Sequence, residues 1–99
     1  MHVRFRQSGG VQGFVRGVDL DTEALDAALV NRLQTLVAAS GIHGQETTYS
    51  SVERDLRQYE IVIRNEGVVA SLACDDETVP AKARPLIRFL IERAGPVAP

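Results

Sequence analysis

The run RQYEIVIRNEGVVASLAC, residues 57–74, constrains the fold more than any other part of this chain. Tyr59, Ile61 and Ile63 alternate with Gln58, Glu60, Val62 and Arg64, which is the period of a strand with one buried face. Asn65-Glu66-Gly67 breaks the run with a turn, and Gly67 is free to take positive φ there. Val68, Ala70, Leu72 and Cys74 then continue one face of a return strand. Two alternating segments joined in this way are a β-hairpin.

A second hairpin is written at the N-terminus. In HVRFRQ, Val3 and Phe5 share one face while Arg4 and Arg6 take the other. The segment GFVRGVDL alternates less cleanly, with Phe14, Val18 and Leu20 on one side. Arg16 shares their parity, so it is expected near an end or an edge. The glycine-bearing connection between these strands, RQSGGVQG, is longer than a two-residue turn and predicts a protruding loop or a bulge.

Each hairpin is followed by a helical pattern. Leu25, Leu29, Leu33, Leu36 and Val37 recur at three- and four-residue spacing, with Asp21 as the expected N-cap and Gly41 as the left-handed stop. Gly41 to Asp55 is polar and aperiodic and reads as a long loop. Pro80 and Pro85 place a turn before a last helix that runs from about Arg84, with Leu86, Phe89 and Leu90 as its stripe. Gly95 and Pro96 stop it. The fold class is therefore α+β: a four-stranded antiparallel sheet of two hairpins, with two helices packed on one face, in the order ββαββα. One domain spans 1–95, and 96–99 is a tail.

Composition closes several functional classes. With 99 residues and a formal net charge of −2, the chain has room for one core and no electrostatic case for nucleic acid. No apolar run approaches the roughly 20 residues that span a bilayer, so no membrane role is expected. MHVRFRQSGG has no apolar core region and does not read as a secretory signal, which makes the cytoplasm the expected location. One cysteine, Cys74, permits neither an internal disulfide nor a cysteine-based zinc site.

Catalytic signatures are equally thin. GGVQG runs into strand-like sequence rather than a helix N-terminus and has no following lysine, so it is not a phosphate loop. His2 and His43 are far apart and make a poor metal site. Asp75, Asp76 and Glu77 offer paired carboxylates, but capping of the final helix is the simpler role. Arg4, Arg6, Arg16, Arg54, Arg57 and Arg64 are interleaved with Asp19 and Glu60, which describes a solvated mixed-charge face. No catalytic residue, metal ligand or cofactor is assigned, and a binding protein is the expected class.

Four pieces in order carry a resemblance to a known family: VRFRQSGGVQGF, VDLDTEAL, RDLRQYEIVI and VPAKARPLIRFL. Together they resemble emfourin, a family of small proteinaceous inhibitors of protealysin-type enzymes, within the thermolysin family of zinc metalloproteases. The resemblance covers all but the loop from Gly41 to Ser51 and the last few residues. It implies a non-enzymatic inhibitor that binds a thermolysin-like zinc metalloprotease and blocks its cleft, the zinc belonging to the partner. Small residues let a backbone lie close to the walls of such a cleft. The resemblance thus makes Ser8, Gly9, Gly10, Val11 and Gln12 the expected partner-binding segment, with His43 and Tyr49 of the long loop adding area. A non-enzymatic adaptor that pairs through an exposed sheet edge or face is the alternative. An enzyme using Asp75, Asp76 and His43 has the least support.

Overall fold

The computed structural model describes residues 1–9, 15–50 and 56–97. Within them the chain runs β1 (His2–Gly9), β2 (Arg16–Asp21), α1 (Ala27–Ala39), β3 (Gln45–Thr48), β4 (Arg57–Asn65), β5 (Val68–Asp75), α2 (Arg84–Arg93) and β6 (Gly95–Pro96). The strands form one mixed sheet in the order β3-β5-β4-β1-β2-β6.

Alternation decides which face is buried. Phe5 stands opposite Ile61 on one side and Val18 on the other, and Val3 opposite Ile63 and Leu20. Phe5, Val3 and Ile61 are fully buried, together with Leu72 and Cys74 of β5. Leu33 of α1 and Leu86, Ile87, Phe89 and Leu90 of α2 join the same cluster, so both helices cover this one face. Burying each such side chain is worth about 1.5–3 kcal/mol. The α+β class and the one-sided helices thus follow the sequence pattern.

The strand count and element order do not. Six strands replace the expected four, and the order is ββαβββαβ rather than ββαββα. β3 lies inside the segment read as a loop and pairs parallel to β5, which makes the sheet mixed. Its residues, QETT, carry no apolar alternation, and the first three are exposed. A polar edge strand held by backbone hydrogen bonds leaves no pattern to read. At the other edge, Gly95 and Pro96 pair with Gly17 and Arg16, and the Val97 amide donates to the Val15 carbonyl at 3.0 Å. Arg16 sits at the end of β2, as its parity required, and donates to the Ala94 carbonyl at 2.8 Å.

Two capping assignments also change. Asp21 caps a single 3-10 turn, Thr22–Ala24, whereas Asp26 caps α1 by accepting from the Leu29 amide at 2.9 Å. Leu25 is extended between them and packs on the core from outside the helix. Gly41, with φ of 73°, follows α1 as expected. α2 begins at Arg84 with Pro85 in its first turn. In the second hairpin Asn65 pairs with Val68, and both Glu66 and Gly67 have positive φ, the geometry of a type I′ turn.

Among the described residues no helix packs on the outer face of the sheet. There Asp19 accepts from Arg4 at 3.2 Å and from Arg6 at 3.2 and 3.3 Å. Burial alone would raise the Asp19 carboxyl, but the two guanidiniums outweigh it and hold its pKa below the usual value. The face is one of mixed charge, and such exposed pairs contribute little to stability.

Candidate functional site

Strand directions bring several loops to one end of the sheet. β1 ends at Gly9 beside the start of β4, with Ser8 opposite Gln58 and Gly9 opposite Arg57. β5 ends at Asp75 next to the same residues, and β3 ends at Thr48 beside Cys74. Ser8, Gly9 and Tyr49 are therefore gathered at this end. His43 is not. It lies before β3, where the Gly44 carbonyl accepts from Ser71, about 13 Å away along the strand direction. There its ring donates from Nδ1 to the Gly41 carbonyl at 2.9 Å. Gly10, Val11 and Gln12 lie outside the described residues, as do Phe14 and Arg54.

Gly9 has a specific reason to be glycine. Its φ is 86°, and a Cβ built there would stand 2.5 Å from the Leu56 carbonyl oxygen. The strand ends in a backbone crossing that no side chain fits. Ser8 is half-buried, and Tyr49 is 45% exposed. Partial burial raises the Tyr49 hydroxyl pKa, and the negative charge of Glu60 adds to that.

The carboxylates Asp75 and Asp76 organise this end. Asp75 is only 3% exposed and accepts from the amides of Ser50 at 2.5 Å, Glu77 at 2.9 Å and Thr78 at 3.1 Å. The Thr78 hydroxyl donates to it as well, at 3.2 Å. Asp76 accepts from the Arg57 amide at 3.0 Å and from the Tyr59 hydroxyl at 2.5 Å. The two side chains tie the segment after β3 and the start of β4 to the end of β5. The expected role as caps of the final helix is wrong: neither the 3-10 turn at Ala81–Ala83 nor α2 receives a side-chain cap. The Asp-Asp-Glu run is plain in the sequence, but the partners that tie it across the fold, Ser50, Arg57 and Tyr59, come from distant segments.

Tyr59 is 7% exposed, stacks on Phe5 with ring centroids 6.3 Å apart, and keeps its hydroxyl on Asp76. Burial, then the Asp76 hydrogen bond and charge, push the phenol up to about 12. Tyr59→Phe is expected to retain the ring packing and lose about 1.5–3 kcal/mol with the charge-assisted hydrogen bond, read from urea unfolding.

Cys74 is fully buried, and burial followed by the charges of Asp75 and Asp76 pushes its thiol up to about 11, so thiolate is scarce at neutral pH. Among the described residues no three His, Cys, Asp or Glu side chains converge as a metal site. No helix there is long and apolar enough to cross a membrane.

The model of the emfourin family matches residues 5–91, and the chain belongs to that family. Emfourins are an inhibitor family, so membership points to a protease-inhibitor role and a protease partner rather than to catalysis. Searches of curated proteins and of solved structures found no match to this chain.

Proposed function

We propose that this protein inhibits a thermolysin-type, protealysin-like zinc metalloprotease by occupying its active-site cleft with the segment from Ser8 to Gln12, with Tyr49 beside it. The observation that carries the reading is Gly9: a glycine-only crossing, with no room for a Cβ beside the Leu56 carbonyl and paired to Arg57, at the point where β1 gives way to that segment. A segment held at its root by a strand loses less ordering entropy on binding than a free one. Tyr49 lies at the same sheet end and supplies exposed apolar area. His43 lies about 13 Å away, before the start of β3, and is left out of the proposed contact.

The test is a titration against a thermolysin-like protease. The wild-type chain should lower turnover at near-stoichiometric ratio, whereas an adaptor would leave it unchanged. Ser8→Trp and Val11→Asp should each weaken inhibition by at least tenfold while thermal unfolding stays near wild type. Undiminished inhibition by both folded variants would move the interface away from this segment.

A further inference from the structure

A second surface near this end has chemistry that the fold does not use. Between α2 and the turn after β5 lies a cleft of about 270 Å³, open to solvent and large enough for one or two side chains. Its walls are aliphatic and aromatic, from Tyr59, Val79, Ile87 and Ile91, and Arg84 and Arg88 stand on its rim. Asp76 also lines it, but Tyr59 and Arg57 already donate to its two oxygens.

The two arginines set this cleft apart. The other arginines near α2 are engaged: Arg93 pairs with Glu92 and lies 3.7 Å from the Phe89 ring centroid, and Arg32 lies over the same ring. Arg84 and Arg88 are exposed, and among the described residues no carboxylate is paired with either. Their positions are unfavourable for the helix itself. They are like charges four residues apart, and Arg84 occupies the first turn, the positive end of the helix dipole. That turn has no acidic residue and no side-chain cap. A carboxylate brought from outside would answer both defects at once.

We propose that this cleft is a docking site for a peptide segment of the partner protein in which an acidic residue adjoins an aliphatic one. The aliphatic side chain enters against Ile87 and Ile91, and the carboxylate is shared by the Arg84 and Arg88 guanidiniums. Charge complementarity selects this occupant over a basic or purely apolar segment. The site deepens the inhibitor reading and rests on it for the identity of the partner.

The experiment contains no protease, so its failure is distinct from failure of that reading. Acetyl-Leu-Glu-Leu-amide is titrated into the full chain and followed by NMR at the Ile87 and Ile91 methyl groups and the Arg84 and Arg88 side-chain N–H signals. Saturable shifts are expected at these four residues, with at least tenfold weaker binding for the Gln-containing peptide, for the variant R84E/R88E and for the milder R84Q/R88Q. Absence of shifts overturns the proposal, as does equal binding of the Gln peptide. Inorganic phosphate reproducing the same shifts, the methyl groups included, reduces the site to simple anion contact and also overturns it.

Discussion

Asp75→Ala is expected to lower Tm by on the order of 10 °C. The variant removes the acceptor for the Ser50, Glu77 and Thr78 amides and the Thr78 hydroxyl at a site only 3% exposed. These donors are part-buried, so losing their acceptor costs a share of the desolvation penalty that a fully buried donor would carry. Asp75→Asn keeps one oxygen and should fall between the alanine variant and wild type. Acidity provides an internal check. Burial alone would raise the Asp75 carboxyl, but the amide and hydroxyl hydrogen bonds outweigh it and hold its pKa below the usual value of 3.8. A depressed native pKa contributes stability that is fully present above the unfolded value and lost as pH falls through the native one. Urea midpoints measured from neutral pH downward should therefore show the wild-type advantage over Asp75→Asn intact to about pH 4 and shrinking below it. An advantage that is independent of pH would mean that the carboxylate charge is not what holds the clamp.

The second large effect is expected at Gly9. Gly9→Val places a β-branched residue at φ of 86° and drives its Cβ to 2.5 Å from the Leu56 carbonyl oxygen, which is backbone and cannot swing aside. Left-handed strain accounts for about 1–2 kcal/mol, and displacing the β1–β4 junction adds to it. Gly67 separates the two contributions. Its φ is 78°, nearly the same, but nothing lies within 4 Å of the point a Cβ would occupy there. Gly67→Ala should cost about 1 kcal/mol from strain alone, and Gly9→Ala clearly more. Equal losses in the two alanine variants would show that the Leu56 approach is not constraining. Because the proposed inhibitory segment departs from Gly9, inhibition should fall with Gly9→Val even at temperatures where the variant remains folded.

Much of this molecule is legible in its amino-acid pattern, for a simple reason. Val3, Phe5, Ile61, Ile63, Leu72 and Cys74 obey a period of two, and Leu29, Leu33, Leu86, Phe89 and Leu90 a period near 3.6, because each must reach one shared core. Burial imposes the periodicity, so periodicity reports burial. The same logic finds the Tyr59 packing and the proline-started α2. It fails wherever the backbone, and not the side chains, makes the contact. β3 is QETT, four polar residues on a parallel edge, and β6 is Gly-Pro; neither buries an apolar stripe, so neither leaves a trace.

The proposed site divides along the same line. The sequence by itself marked a glycine cluster between two strands and, through four short motifs, the emfourin family that the matched residues 5–91 bear out. Only the tertiary structure decided that Ser8, Gly9 and Tyr49 share one end of the sheet while His43 lies away from it, before β3. It also assigned Asp75 and Asp76 to a clamp, and set Arg84 and Arg88 over a cleft with no carboxylate partner among the described residues. A strand's direction and neighbours depend on pairings between segments tens of residues apart. No local pattern encodes those pairings, so residues of one composition can meet at a site or stand well apart from it.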